Sequence, residues 1–236
     1  MSKLSGLSIF FPCFNDEKSI GALVENAFKV AKNYSERFEI LVIDDGSTDN
    51  SRIELKNLKK KYPELKLIFH DKNKGYGEAL KNGFKNASKE FVFYTDGDGQ
   101  YDILELPLLI NLMTTDVDFV NGIKMARADP TYRIVVGNLY SFFARWLFWL
   151  PIYDVDCDYR LIRKKILDKI KLTGRSGSIC VELVKKSHRA GATFRQVSVH
   201  HYGRKFGQSQ FFRVNRLLST FRELIRLWIN LMLLKK

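Results

Sequence analysis

The sequence predicts an α/β fold built on a parallel β-sheet, and three observations support this. Short apolar runs rich in Ile, Val and Phe alternate with amphipathic segments in the first half of the chain. Strand–helix alternation of this kind implies parallel strands joined by right-handed crossovers. Each of the first four apolar runs is followed by a polar or glycine-rich motif, as expected if a ligand binds at the carboxyl ends of the strands. Finally, 45% hydrophobic residues with only 15 Gly and 5 Pro in 236 residues exclude a disordered or fibrous chain.

The predicted elements follow one another in chain order. Apolar runs predict strands at 7–11, 38–43, 65–69 and 90–95, with helices between them at 18–32, 50–61 and 77–86. The second half predicts strands at 117–122 and 192–201, a helix near 179–189 and one long helical pattern at 211–236. Because no linker or repeat interrupts the chain, we expect one catalytic domain over residues 1–210 with a helical appendage over residues 211–236.

The charge is distributed unevenly. Residues 1–120 carry 16 basic against 19 acidic side chains, whereas residues 121–236 carry 23 against 7, within a net charge of +13. A basic second half predicts an anionic partner, which leaves nucleic acid, an anionic membrane surface and a phosphorylated substrate open.

Cysteine usage and hydropathy add two expectations about location. Three widely spaced cysteines (Cys13, Cys157 and Cys180) argue against a disulfide framework and for a reducing compartment. The apolar N-terminal run has no small-residue cleavage site, so it predicts a first strand rather than a signal peptide. No window of 18 uncharged apolar residues predicts a transmembrane helix.

The strongest single motif is DGDGQ, directly behind the predicted strand at 90–95. Asp96 and Asp98 are two residues apart, so both carboxylates can reach one hard divalent cation. Gln100 can add an amide oxygen, and Mg²⁺ or Mn²⁺ suits such ligands. An Asp-Gly hairpin turn is the alternative interpretation, and the sister motifs at the same predicted sheet edge argue against it.

Two of these sister motifs suggest a nucleotide. In DDGSTD at 44–49, Asp49 or Ser47 is expected to cap the next helix, while Asp44 or Asp45 could accept hydrogen bonds from a base or ribose. NKGYG at 73–77 resembles a phosphate-cradling glycine loop, although a plain strand-to-helix turn explains it equally well.

Acidic and histidine residues of the second half are less specific. Asp154, Asp156 and Asp158 alternate, which in an extended segment places them on one side. They could face a sugar, a metal or merely the basic residues nearby. His200 and His201 point to opposite faces of a strand, so a structural role is expected for them.

The C-terminal helical pattern has two interpretations. Apolar residues at helical spacing are flanked by Arg213, Arg216, Arg222 and Arg226. Such a helix could pack on the core of the domain, or it could lie in a membrane interface. The aromatic stretch at 142–149 has the same character, and together the two segments predict peripheral contact with an anionic membrane.

Taken together, the ordered motifs FPCFNDE, DDGSTD, NKGYGEA, DGDGQYD, DCDYRLIR and GRKFGQSQ resemble those of family 2 glycosyltransferases with the GT-A fold. The chain is most similar to the dolichyl- and polyprenyl-phosphate sugar transferases, the group that includes dolichol-phosphate mannose synthase. The resemblance covers about residues 7–212. It implies a Rossmann-like mixed sheet with flanking helices and a C-terminal amphipathic helix.

The resemblance also implies roles for matching residues. The nucleotide pocket would be formed by Pro12, Phe14, Glu17, Asp45, Gly75, Gly77 and Asp96. The metal, Mg²⁺ or Mn²⁺, would be held by Asp96, Asp98 and Gln100. The catalytic group would consist of Asp96, Asp98, Asp158 facing the donor sugar, and Arg133 and Arg204 on the phosphates, with Lys124, Arg127 and Ser209 nearby.

The activity implied by the resemblance is inverting, metal-dependent transfer of a hexosyl group to dolichyl or undecaprenyl phosphate. The donor would be GDP-mannose, UDP-glucose or a UDP-N-acetylhexosamine. Lys124 and Asp158 depart from the arginine and glycine of the mannose synthases, which counts against mannose. The protein is expected to be cytoplasmic and peripheral on the cytoplasmic face of a membrane, without a nucleic-acid partner; homo-oligomerisation is left open.

Two alternatives remain at this point. A family 2 transferase acting on a sugar hydroxyl would need a general base, for which Asp156 or Asp158 would serve. A nucleic-acid-binding module would explain the net charge of +13, but the sequence contains no recognised nucleic-acid motif.

Overall fold

The structure, a computed structural model, describes residues 3–125, 131–204 and 214–234. It contains a seven-stranded sheet in the order β3-β2-β1-β4-β6-β5-β7. The strands are β1 (Leu7–Cys13), β2 (Phe38–Asp44), β3 (Lys66–Phe69), β4 (Phe91–Thr95), β5 (Phe119–Met125), β6 (Tyr159–Arg163) and β7 (Phe194–His200).

The sheet is mixed rather than parallel throughout. β1 to β4 pair in parallel as predicted, and β5 pairs in parallel with β7. β6 runs antiparallel to both β4 and β5. The simple prediction of a parallel sheet is therefore wrong for β6, whereas the mixed sheet implied by the family resemblance is confirmed.

The helices flank the sheet between the strands. They are α1 (Ile20–Tyr34), α2 (Ser51–Lys61), α3 (Tyr76–Asn86), α4 (Leu106–Leu112), α5 (Thr131–Phe148), α6 (Lys164–Leu167), α7 (Ser178–Arg189) and α8 (Val214–Trp228). A 3₁₀ turn, Ile103–Glu105, leads into α4, and a π-helical turn, Ile229–Leu233, continues α8. The sequence did not predict α4, α5 or α6.

The core lies on both faces of the sheet. Along β1, Ile9 and Phe11 face a cluster shared with α1, whereas Phe10 faces a second cluster shared with α3 and α7. A strand buried on both faces is apolar at nearly every position, because neither face meets water. This explains why the first strands read as continuous apolar runs rather than as alternating patterns.

The C-terminal helix packs on the body of the protein. Leu227 and Leu231 are buried in the same cluster as the residues of α7. The predicted domain boundary at residue 210 lies outside the described residues, as do Arg127, Ser209 and Arg213. Among the described residues, no helix is both long and apolar enough to cross a membrane. All three cysteines are buried and free.

Candidate active site

The polar motifs meet at one edge of the sheet. This edge is formed by the carboxyl ends of the parallel strands together with the amino end of β6, because β6 runs in the opposite direction. The register places Cys13 beside Asp44 and Thr95 beside Tyr159. The segments that follow β1, β2 and β4 and the segment that precedes β6 are therefore neighbours, although they lie far apart in the sequence.

The loop after β1 is fastened to the loop after β2. Glu17 accepts a hydrogen bond from the backbone N–H of Asn50 (2.9 Å), and its own N–H donates to Asp49 (3.2 Å). Asn15, which has a positive φ of 59°, accepts from the N–H of Thr48 (2.8 Å). Asp49 also accepts from the N–H of Ser51, the first residue of α2 (3.0 Å). The N-cap residue of α2 is Asn50, so neither Asp49 nor Ser47 has the predicted capping position.

Asp45 organises the glycine loop after β3. Its Oδ1 accepts from Nδ1 of His70 (2.6 Å) and from the N–H of Lys74 (2.8 Å). Its Oδ2 accepts from the N–H of Gly75 (2.9 Å), whose φ of +97° favours glycine. These three bonds give Asp45 a structural role that the sequence did not suggest, and the predicted contact with a base or ribose stays a prediction.

The DGDGQ loop carries a buried carboxylate. Oδ1 of Asp96 accepts from the hydroxyl of Tyr76 (2.8 Å). Burial, followed by the neighbouring carboxylates of Asp158 and Asp98, raises the pKa of Asp96 well above its ordinary value. The structure therefore brings these three predicted residues into one electrostatic cluster.

Asp16, which was not among the predicted site residues, extends this cluster. Burial, with a contribution from the carboxylate of Asp98, raises the pKa of Asp16 to about 7. Its Oδ2 accepts from the N–H of Phe14 (3.0 Å), so the loop after β1 also faces the DGDGQ loop. Its position in the FNDE motif was the available signal.

The segment after β7 closes over the DGDGQ loop. Nη2 of Arg204 donates to Oδ2 of Asp98. The side-chain amide of Gln100 donates to the carbonyl of Tyr202 (3.1 Å), whose N–H donates to the carbonyl of Gln100 (2.8 Å). Arg204 and Asp98, which are 106 residues apart, thus form an ion pair at the site.

Asp158 is held by a buried network. Its Oδ1 accepts from the hydroxyl of Tyr94 (3.1 Å) and from the thiol of Cys180 (3.2 Å). The fully buried guanidinium of Arg160 lies 3.4 Å from the same oxygen. Arg160 also donates to Tyr94 (2.6 Å) and to Asn121 (2.8 Å). No sequence motif indicated Tyr94, Cys180 or Arg160 as parts of the site, because only the fold brings them to Asp158.

The other two alternating acids lie against a lysine. Nζ of Lys124 is 2.8 Å from Oδ2 of Asp156 and 3.6 Å from Oδ1 of Asp154. Burial disfavours the charge on Lys124, but the carboxylates of Asp156 and Asp154 outweigh it and raise the pKa of the ammonium above its ordinary value. Lys124 therefore stabilises the segment before β6 rather than offering its charge freely to a phosphate.

Of the remaining predicted residues, Pro12 and Gly77 are fully described, whereas only the backbone of Arg133 is. Pro12 is buried in β1, and Gly77 lies at the start of α3, where a Cβ atom would come within 2.4 Å of the carbonyl oxygen of Gly174. The backbone of Arg133 belongs to α5, but its side chain lies outside the description. Its predicted role on the phosphates stays a prediction.

The residues present fit a divalent cation. Asp96, Asp98 and Gln100 offer oxygen ligands, and a cation would offset the burial and the carboxylate repulsion that raise the pKa of Asp96. Across the described ranges, no three or more His, Cys, Asp or Glu side chains are arranged as a ligand group. A cation bound here would thus need additional ligands from a diphosphate or water, as is usual for Mg²⁺.

Four buried polar atoms without a hydrogen-bond partner among the described residues lie at or after the strand ends of this edge: Oδ2 of Asp44, Nε2 of His70, Oγ1 of Thr95 and Nε of Arg204. Another such atom, Oγ of Ser187, lies on α7. Such atoms are costly to bury unless a ligand or water satisfies them. The position of the four atoms makes this edge the candidate site for a polar ligand.

Comparison with known proteins identifies the family. The family model described as "Glycosyl transferase family 2" matches residues 8–171. The chain belongs to this family.

Two curated relatives of this family 2 glycosyltransferase are both named undecaprenyl-phosphate 4-deoxy-4-formamido-L-arabinose transferase. The protein from Yersinia enterocolitica is 26% identical over 225 residues, covering 94% of this chain and 67% of the relative. The protein from Yersinia pestis is 26% identical over 221 residues, covering 93% and 66%. The chain thus spans about two thirds of the length of these relatives.

Solved structures confirm the GT-A fold of the family 2 glycosyltransferase. Glucosyl-3-phosphoglycerate synthase from Mycobacterium tuberculosis, crystallised with Mn²⁺, UDP and glucosyl-3-phosphoglycerate, superposes with a TM-score of 0.73 at 16% identity. The alignment covers 96% of this chain and 79% of that one. The same enzyme crystallised with Mg²⁺ and UDP gives a TM-score of 0.71 at 15% identity.

Proposed function

We propose that this family 2 glycosyltransferase transfers a sugar from a nucleotide-diphosphate donor to a polyprenyl phosphate and inverts the anomeric carbon. The observation that carries the proposal is the cluster of Asp96, Asp98 and Asp158 at the end of β4, with Arg204 paired to it. Carboxylates suited to a cation and an arginine suited to a phosphate are the groups that such a transfer needs. The curated relatives, which are named for an undecaprenyl-phosphate acceptor, support the lipid acceptor.

The donor is held at the edge where β1, β2 and β4 end. Pro12, Phe14 and Glu17 form the base side of this pocket, and Asp45 orients the loop that carries Gly75 and Gly77. Asp96, Asp98 and Gln100 would hold Mg²⁺ or Mn²⁺ against the donor diphosphate. When bound, the metal would neutralise the negative charge that develops on the departing nucleoside diphosphate.

The transfer itself is one displacement. An oxygen of the lipid phosphate forms a bond to the anomeric carbon while the bond from that carbon to the donor's β-phosphate oxygen breaks. The nucleoside diphosphate leaves with the electron pair, and no proton moves. Because the acceptor is already an anion, the protein's task is to align two phosphates and the sugar, a task that we assign to Arg204, Arg133 and Asp158.

The environment of the acids argues against a hydroxyl acceptor. A hydroxyl must lose its proton to a general base. Of the two acids considered for this role, Asp156 is paired with the buried Lys124, and Asp158 accepts from Tyr94 and Cys180 beside Arg160. Each of the two carboxylates already faces a buried cation, Lys124 or Arg160, which favours an acceptor that needs no base.

An exposed aromatic surface supports peripheral membrane contact. It consists of Phe142, Phe143, Trp146 and Trp149 on or just after α5, together with Phe221 and Ile225 on α8. Trp146 is 68% and Trp149 is 72% exposed. The two helices are adjacent, because the indole N–H of Trp228 donates to the carbonyl of Leu147 (3.0 Å). Aromatic side chains beside Arg145, Arg222 and Arg226 are typical of a lipid-interface surface.

The deciding experiment measures transfer of radioactive sugar to undecaprenyl phosphate in the presence of Mn²⁺. UDP-glucose, GDP-mannose and a UDP-linked pentose are tested separately, since the relatives are named for an arabinose derivative. Label in the organic extract supports the proposal, and the preferred donor identifies the nucleotide. Transfer only to a sugar hydroxyl, or no turnover of a donor that binds, would overturn it.

A further inference from the structure

The segment Thr173–Ser178, between α6 and α7, backs the donor loop Asn73–Gly77. The N–H of Gly77 donates to the carbonyl of Arg175 (3.0 Å). A Cβ atom on Gly77 would lie 2.4 Å from the carbonyl oxygen of Gly174, and one on Gly75 would lie 3.0 Å from that of Arg175. The backbone of the donor loop is therefore in direct contact with the backbone of Thr173–Ser178. A shift in the backbone of Thr173–Ser178 would therefore shift the donor loop as well.

Two glutamates hold this backing segment. Glu182, on α7, accepts from the N–H and hydroxyl of Thr173 (2.9 and 2.7 Å) and from the N–H of Gly174 (2.7 Å). These bonds span at most nine residues and fix the first part of the segment locally. The second part, which touches the donor loop through Arg175, has a different support.

That support comes from Glu223 on α8. A single oxygen of Glu223, Oε2, accepts from the hydroxyls of Ser178 (2.7 Å) and Ser176 (2.8 Å). It also accepts from the N–H groups of Ser176 (3.1 Å) and Arg175 (3.3 Å). Burial disfavours the charged carboxylate, but the bonds from Ser178 and Ser176 outweigh it and lower the pKa of Glu223. A charged acceptor is thus held where four donors converge, and such bonds are about twice as strong as neutral ones.

We propose that Glu223 is a positioning residue for donor binding, which acts on the donor loop Asn73–Gly77 through Arg175, Ser176 and Ser178. The inference rests on the proposed function, since it takes Gly75 and Gly77 to be the point where the nucleotide approaches. It adds that α8, which contributes no side chain to the nucleotide pocket, influences the affinity of that pocket for the nucleotide. The carboxylate fixes the backbone of residues 175–176, and that backbone fixes Gly77.

The test is calorimetric titration of UDP and GDP into the full chain with Mn²⁺ present, for wild type, Glu223→Gln and Glu223→Ala. We expect about tenfold weaker binding for Glu223→Ala. Glu223→Gln should be intermediate, because its carbonyl oxygen can still accept hydrogen bonds. The donor KM should rise while the KM for the lipid phosphate stays unchanged. The matched control is Glu64→Gln, an exposed glutamate that precedes β3, whereas the donor loop follows that strand.

A role confined to folding would lower the unfolding temperature or the fraction of competent protein without changing the affinity of the remainder. Calorimetry separates these, because stoichiometry and dissociation constant are measured independently. If a Glu223 variant does not fold, Ser178→Ala removes a donor from the other side of the same contact and should weaken binding in the same direction. Unchanged affinity in the folded variants overturns this inference alone. A wild-type protein that binds neither nucleotide overturns the proposed function and this inference with it.

Discussion

Nδ1 of His70 lies 2.6 Å from Oδ1 of Asp45, and both side chains are buried. A carboxylate in this position fixes the ring orientation and makes Nδ1 the donor. The same carboxylate accepts from the N–H groups of Lys74 and Gly75. The end of β2 and the end of β3 thereby hold the donor loop in one conformation.

The first prediction is that Asp45→Asn and His70→Ala each weaken nucleotide binding about tenfold. An asparagine cannot satisfy the three N–H donors as a carboxylate does, and an alanine removes the ring that orients the carboxylate. Calorimetric titration of UDP and GDP checks this. Asp71→Asn, an exposed neighbour in the same turn, is the control and should bind as wild type. Equal affinities for all four proteins would show that the loop does not contact the nucleotide.

The second prediction concerns the cation. Asp98→Ala should lower the transfer rate at least about 100-fold, because it removes an oxygen ligand from the group that stabilises the leaving diphosphate. It should also weaken Mn²⁺ binding, which electron paramagnetic resonance measures without turnover. The same substitution frees Arg204 from its ion pair. A variant that binds Mn²⁺ and turns over like wild type would contradict the metal assignment.

The third prediction is a stability difference between two arginines of β6. Arg160→Met should cost about 3–5 kcal/mol, because Asp158 loses its buried counter-charge and Asn121 loses a donor. Arg163→Met should cost about 1–2 kcal/mol, because the half-exposed ion pair with Glu90 contributes little and the carbonyls of Val117 and Thr114 lose donors. Urea unfolding of both variants at neutral pH measures the difference. Equal losses would show that the network around Asp158 does not depend on the charge of Arg160.

The fourth prediction is a pH dependence located at Glu39. Burial opposes ionisation of Glu39, but hydrogen bonds from Lys66, Ser8 and Ser88 outweigh it and lower its pKa from 4.5 to about 2. A lowered pKa in the folded state means that the carboxylate stabilises the fold above pH 4.5, and that this contribution is lost as the pH falls toward 2. Glu39→Gln should therefore be about 2–3 kcal/mol less stable than wild type at pH 7.

The difference in unfolding free energy between wild type and Glu39→Gln should become smaller as the pH falls from 4.5 to 2. Urea unfolding at several pH values measures it. Glu64→Gln, whose carboxylate is exposed, serves as the control. A gap that stays constant over this range would mean that Glu39 contributes by shape or neutral hydrogen bonding rather than by its charge.

The sequence predicted the first half of the fold well for a physical reason. β1, β2 and β4 are buried on both faces, so each is a compact apolar run that local patterns reveal. β6 was not predicted as a strand, because two of its five residues are arginines. Arg160 is tolerated in a buried strand only because Asp158, Tyr94 and Asn121 meet it there, and no local pattern encodes those contacts.

The residues of the candidate site also fall into those that local motifs predicted and those that only the fold reveals. Asp96, Asp98 and Asp45 stood in motifs directly behind strands, so the sequence pointed to them. Tyr76 and Asp16 lay inside the same motifs, but they were overlooked because their importance depends on the charges that face them. Cys180 and Glu223 act across more than 20 residues of sequence separation, and only the fold brings them to Asp158 and to the segment behind the donor loop.

The last prediction concerns the exposed aromatic surface. Deleting residues 211–236 would be a poor test of membrane contact, because Leu227 and Leu231 are buried in the core and their loss would destabilise the protein. The double variant Trp146→Glu, Trp149→Glu changes only exposed side chains and should reduce binding to anionic phosphatidylglycerol vesicles at least tenfold in a sedimentation assay.

Ile53→Glu, at a 60% exposed apolar position on α2, is the matched control and should bind as wild type. Vesicle binding should also weaken with salt, because the flanking arginines contribute through charge. If the double variant and the control bind equally well, the aromatic surface serves a different partner, and the lipid must reach the site by another face.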